Sequence, residues 1–137
     1  MRKRWVLGGV ACLAMATLGR TQGSDANNGV VKVIEISAKK YEFTPNEVRV
    51  KKGERVQLKI HSVDTIHGAK LEVYPEGSKD KSTPGLKFAE PNQNEKVEKN
   101  VDQVLDFVAV EAGTYEIKCA KLCGIGHGRM KGKLIVE

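Results

Sequence analysis

At 137 residues, with 40% hydrophobic and 29% charged residues, the chain has the size and composition of a single globular domain that needs no disulfide staples. Its net charge of +6 gathers at one end: Arg2, Lys3, Arg4 and Arg20 precede residue 24 with no acidic residue among them, and beyond it 19 basic residues face 17 acidic ones. That near balance removes the support for a nucleic-acid-binding protein.

Residues 1–23 read as an export signal. Arg2-Lys3-Arg4 forms a positive start, residues 5–19 form an apolar stretch, and Gly19 and Gly23 offer small-residue cleavage points. The apolar run falls short of the ~20 residues that span a bilayer, so a cleaved signal peptide is expected over a short N-terminal anchor. Lipid attachment at Cys12 is a weaker alternative, because Gly9-Val10-Ala11 is a poor context for it. Each option places the working domain outside the cytoplasm, in a periplasm or its equivalent. Residues 24–29 follow as a polar linker, and residues 30–137 as the folded domain.

Short alternating runs then succeed one another. Residues 30–36 are the first. Val48 and Val50 alternate with Glu47, Arg49 and Lys51; after the turn Lys52-Gly53-Glu54, Val56, Leu58 and Ile60 alternate with Arg55, Gln57 and Lys59. A period of two marks strands with one buried face. Residues 104–110, 115–119 and 133–136 complete the set, separated by turn signals at Pro45-Asn46, Pro84-Gly85 and Ala112-Gly113. About seven short strands without helical periodicity predict an all-β fold, an antiparallel β-sandwich. Residues 72–99 hold three of the four prolines and predict long surface connections with one or two weak edge strands.

The chemistry is concentrated in residues 119–130, CAKLCGIGHGRM. Once the leader is removed, this window holds every remaining Cys, Cys119 and Cys123, and the one remaining Met, Met130, with His127 between them. Two thiolates, an imidazole and a thioether suit copper better than the other common biological metals. Spacings of four, four and three would also fit one face of a helix, but Gly124, Gly126, Gly128 and Gly132 oppose it at about 1 kcal/mol each relative to Ala. A glycine-rich loop leaving a strand is the better description. Tyr115, Ile117 and Cys119 share one strand face, so Cys119 should start the loop at the buried end of the sandwich.

A Cys119–Cys123 disulfide is one alternative, but it closes too small a loop to stabilise much and leaves His127 and Met130 without a role. Structural zinc is another, and zinc does not favour a thioether. Tying such a loop to the fold calls for a ligand from a distant strand, and His61 and His67 are the two candidates.

These residues resemble the CuA signature of cytochrome c oxidase subunit II, Cys-x-x-x-Cys-Gly-x-x-His-x-x-Met, at every position: Cys119, Cys123, Gly124, His127 and Met130. Residues 62–68, SVDTIHG, are similar to the family's Ser-x-Asp-x-x-His segment, which selects His67 over His61. Residues 41–46, 52–54 and 112–115 resemble the turns and strands around that site, so the likeness spans roughly residues 30–137. It implies a cupredoxin-like Greek-key antiparallel β-sandwich with two copper ions. Cys119 and Cys123 would bridge them, His67 and His127 would each bind one, and Met130 and the Lys121 carbonyl would be weak axial ligands. The family usually has Glu where Lys121 stands; ligation through the main chain tolerates the change. Asp64 is implied as a residue shaping the loop that presents His67.

The implied function is one-electron transfer, with no organic substrate, to or from a redox partner such as a c-type cytochrome or a terminal oxidase. His127 is the expected exposed edge of the site. The family's membrane hairpin and its Trp-rich aromatic cluster have no counterpart, since the single Trp is Trp5. Lys118, Lys121, Arg129, Lys131 and Lys133 make either a positive rim for an acidic partner or a plain solvated edge. Other readings are a membrane-anchored oxidase subunit II proper, a copper carrier, and a mononuclear blue-copper site of His67, Cys123, His127 and Met130.

Overall fold

The structure, a computed structural model, describes residues 29–90, 96–97, 100–119 and 124–137, with Lys96, Val97 and His127 described through the backbone alone. The expected signal segment, most of the linker, Lys121 and Cys123 lie outside the described residues. Among the described residues no helix is long and apolar enough to cross a membrane.

Ten strands are assigned among the described residues: β1 Val31–Lys39, β2 Glu42–Thr44, β3 Glu47–Val50, β4 Arg55–Ser62, β5 His67–Leu71, β6 Leu86–Phe88, β7 Lys96–Val97, β8 Asp102–Ala109, β9 Gly113–Cys119 and β10 Lys131–Val136. They form two five-stranded sheets, ordered β2-β1-β4-β8-β6 and β3-β10-β9-β5-β7. The expected β-sandwich is present. Most pairings are antiparallel, but β1–β4 and β3–β10 run parallel. The reason is the path of the chain: from β2 to β9 every successive strand changes sheet, so sheet neighbours are joined by crossovers rather than hairpins.

Alternation in the sequence becomes sidedness in space. Val56, Leu58 and Ile60 of β4, Leu105, Phe107 and Ala109 of β8, and Tyr115, Ile117 and Cys119 of β9 all point into the core. Burying each large side chain contributes about 1.5–3 kcal/mol. The stretch 72–99 supplies β6 and β7 at the sheet edges, as its composition predicts.

Tyr115 turns a corner at one end of β9. Its buried hydroxyl donates to the Glu111 carbonyl (2.8 Å), and a side chain at Gly85 would collide with that hydroxyl. Burial, with the Glu111 charge adding to it, pushes the Tyr115 phenol up to about 12. This end of β9 is fixed by a corner, and the other end delivers Cys119.

Candidate metal centre

Three adjacent strands of the second sheet bring three of the six predicted ligands, His67, Cys119 and Met130, to one end of the sandwich. In the β5–β9 ladder Ala69 stands opposite Cys119, so His67, two residues earlier on the same inward face, projects from the same end of the sheet. In the β9–β10 ladder Lys118 pairs with Lys131, and the next bond of that ladder runs from the Cys119 amide to the Met130 carbonyl (3.2 Å). Cys119 and Met130 therefore form the two posts of the ligand loop. His67, Cys119 and Met130 are 0%, 6% and 1% exposed. A short 3-10 turn, His127–Arg129, carries the His127 backbone back toward β10. Cys123, Lys121 and the His127 side chain lie outside the described residues. Within those residues no three His, Cys, Asp or Glu side chains converge as a metal site, since only His67 and Cys119 of the predicted set are of those types there.

The His67 ring carries the most direct sign of a ligand. Its Nε2 is 2.7 Å from Asp64 Oδ1, which fixes that nitrogen as the protonated donor to a carboxylate. Its Nδ1 is fully buried and has no hydrogen-bond partner among the described residues. A buried imidazole lone pair left unsatisfied is costly unless something completes it. A metal ion does, and an imidazole held by a carboxylate through its other nitrogen is the usual arrangement of a ligating histidine.

Asp64 occupies the turn between β4 and β5, which the Ser62 hydroxyl helps close by donating to the Thr65 carbonyl. Besides His67, the Asp64 carboxylate accepts from the Lys40 amide (Oδ2, 2.8 Å). Partial burial would raise its pKa, but the bonds from Lys40, His67 and Thr65 outweigh it and hold the carboxyl below its ordinary value. His61, the other candidate, lies on β4 of the first sheet, where its exposed Nδ1 is hydrogen-bonded to Asp102 Oδ1 (2.6 Å).

Two contributors had gone without a role in the sequence. Tyr41, beside Lys40, lays its ring against the ligand loop. A Cβ on Gly124 would lie 2.7 Å from the Tyr41 hydroxyl, and one on Gly126 would run into the ring. Gly124 also has φ +134°, a conformation that favours glycine. The second is Gln103, 8% exposed on β8 of the opposite sheet, which bonds both backbone groups of Ala69. Its signal was a polar residue in an otherwise apolar inward stripe, Gln103-Leu105-Phe107-Ala109.

Two of the five cations proposed as a positive rim or a solvated edge are paired with carboxylates. Lys118 pairs with Glu116 (2.9 Å) and Glu72 (3.3 Å), and Lys131 pairs with Glu116 (2.8 Å). On the outer face of the second sheet Lys118 stands opposite both Lys70 and Lys131, with Glu72 and Glu116 beside them, and the solvated-edge reading describes Lys118 and Lys131.

A sandwich whose loop end gathers His, Cys and Met is the architecture of a copper-binding β-sandwich, and sequence comparison agrees. The family model for the cupredoxin-like domain matches residues 9–136, and the chain belongs to that family. It is 28% identical over 95 residues to cytochrome c oxidase subunit 2 of Thermus thermophilus, a stretch covering 69% of this chain and 58% of that protein. Against the same subunit from a particular strain of that organism the identity is again 28% over 95 residues, covering 46% of that protein. The chain thus spans about half the length of these relatives. Among solved structures it is similar in fold to auracyanin A, a "blue" copper protein of Chloroflexus aurantiacus (TM-score 0.58, 21% identity, 79% of this chain and 100% of that one). A chain of a heme-copper terminal oxidase dimer is similar to a like degree (TM-score 0.55, 23% identity, 77% and 65%).

Proposed function

We propose that this cupredoxin transfers single electrons through a binuclear copper centre of the CuA type. The observation that carries the metal is the buried His67 Nδ1, without a partner among the described residues and set on the strand beside Cys119. The reading of two metals rests on the spacing Cys119-x-x-x-Cys123 followed by His127 and Met130. Copper held there would supply a one-electron couple.

The protein's own part is to hold still. Asp64 sets the tautomer and orientation of His67, and the Cys119–Met130 backbone bond fixes the two ends of the loop. Tyr41 backs the loop at Gly124 and Gly126. Ligands fixed by strands move little when the charge of the site changes, which keeps the cost of reorganisation low. The thiolates of Cys119 and Cys123, the imidazoles of His67 and His127, the Met130 thioether and the Lys121 carbonyl would hold the copper. The signal-like residues 1–23 fit work outside the cytoplasm with a c-type cytochrome or a terminal oxidase as partner. The likeness to a blue copper protein favours a second reading, a mononuclear site that leaves Cys119 without a role.

Copper loading separates the two. Metal content per chain and the electron paramagnetic resonance spectrum are measured on the loaded domain. Two coppers with hyperfine lines from one shared electron are expected; one copper with a four-line pattern would sink the binuclear site.

A further inference from the structure

Ala69 sits where the ligand strand meets its neighbour, and its backbone has an unusual partner. The Cys119 amide points to Met130, just before β10, so Ala69 and Cys119 face each other as a pair that exchanges no hydrogen bonds. The Ala69 N–H and C=O must therefore point to the other side of β5. There, among the described residues, β7 pairs with His67 and Gly68. At Ala69 the ladder passes to a side chain: Gln103 Oε1 accepts from the Ala69 amide and Gln103 Nε2 donates to the Ala69 carbonyl, both at 3.2 Å. One donor and one acceptor in one plane are what a neighbouring strand would offer.

Gln103 is itself anchored. It lies on β8 of the first sheet, opposite Ile60 of β4. Its amide thus ties the first sheet to the second at the residue opposite Cys119, about 7 Å along β5 from His67. Among the described residues β9 pairs with Ala69–Leu71 and β7 with His67 and Gly68, so the Gln103 amide adds a further hold at Ala69, where the two ladders meet.

We propose that Gln103 is a positioning residue for the metal centre: its amide bonds both backbone groups of Ala69 as a neighbouring strand would and sets where His67 lies relative to Cys119. An apolar residue of equal size would fill the space and leave two buried backbone groups unsatisfied. The consequence for copper rests on the proposed function; the clamp itself does not need the metal.

The test begins on metal-free protein, comparing wild type, Gln103→Met and a control, Leu105→Val, from the same buried stripe. Amide hydrogen exchange at Ala69 and the nitrogen and carbon resonances of the His67 ring are recorded. In Gln103→Met, Ala69 exchange is expected to be about tenfold faster than in wild type, after correction for global stability, and the His67 ring signals to shift. The control is expected to change neither. Gln103→Asn, one methylene shorter, keeps the polarity but loses the reach, and gives the same signature if Gln103→Met does not fold. With copper added, the visible absorption bands move in the Gln103 variants and stay in place in the control. Unchanged Ala69 exchange and His67 signals in both Gln103 variants would overturn the clamp, as would an equal change in Leu105→Val. A wild type that takes up no copper would overturn the copper reading, with the metal-free measurements still deciding the clamp.

Discussion

The two sheets are alike in size and unlike in duty. The second sheet carries His67, Cys119 and Met130 at the ends of three neighbouring strands, β5, β9 and β10. The first carries none of the predicted ligands, yet it supplies Leu58, Leu105 and Phe107 to the core, and Gln103 to Ala69. Its outer face holds an Arg55–Asp106–Gln57 cluster, whereas that of the second sheet holds the Glu116–Lys118–Lys131 ladder. One sheet presents chemistry and the other holds it in place. Changes in the first should therefore act on stability, and changes near β5 on metal.

The largest effect should come from the first sheet. Phe107→Ala, at a fully buried position beside Phe88, is expected to cost about 3–5 kcal/mol in chemical denaturation while the folded fraction keeps a wild-type copper spectrum. An altered spectrum would mean the sheets are not separable in this way. The complementary change is Asp64→Ala. Losing the bonds to His67 Nε2 and the Lys40 amide should weaken copper binding by about 10–100-fold, as read by competition with a chelator, and cost about 1–3 kcal/mol in the metal-free protein.

Smaller effects sharpen the contrast. Tyr115→Phe removes the bond to the Glu111 carbonyl and should cost about 1 kcal/mol without altering metal affinity, although Tyr115 shares a strand with Cys119. Smallest is the acid response. Hydrogen bonding to Arg55 first, and to Gln57, holds the Asp106 carboxyl below its ordinary 3.8 despite partial burial. A lowered folded pKa means this contribution is present above pH 3.8 and is lost as pH falls through the folded value. Asp106→Asn should flatten the acid limb of the stability profile below that pH and leave the neutral copper spectrum intact.

What could be read from the sequence follows the same division. Strands β3, β4, β8, β9 and β10 announce themselves because one face is buried and the other wet, and Cys119 takes its inward place from the Tyr115-Ile117-Cys119 stripe. The choice of His67 came from a motif rather than a pattern; its ring is buried next to Asp64. Strand β5 had no alternation to read, because His67, Gly68 and Ala69 are buried in succession. The parallel pairings were hidden for a different reason: chain order does not reveal which strands cross between sheets. Tyr41 and Gln103 act on residues more than thirty positions away in the chain, and no local window contains both partners.

The contact between Tyr41 and the ligand loop has an evolutionary consequence. Gly126 has no room for a methyl group while an aromatic ring occupies position 41, so the two positions are not free to vary independently. Gly126→Ala should be deleterious alone and tolerated together with Tyr41→Ala, a sign-dependent pair spanning most of the domain. Sequences related to this one would then fall into two sets, those with a bare loop under a large ring and those with a fuller loop under a small residue, and intermediates between them would be scarce.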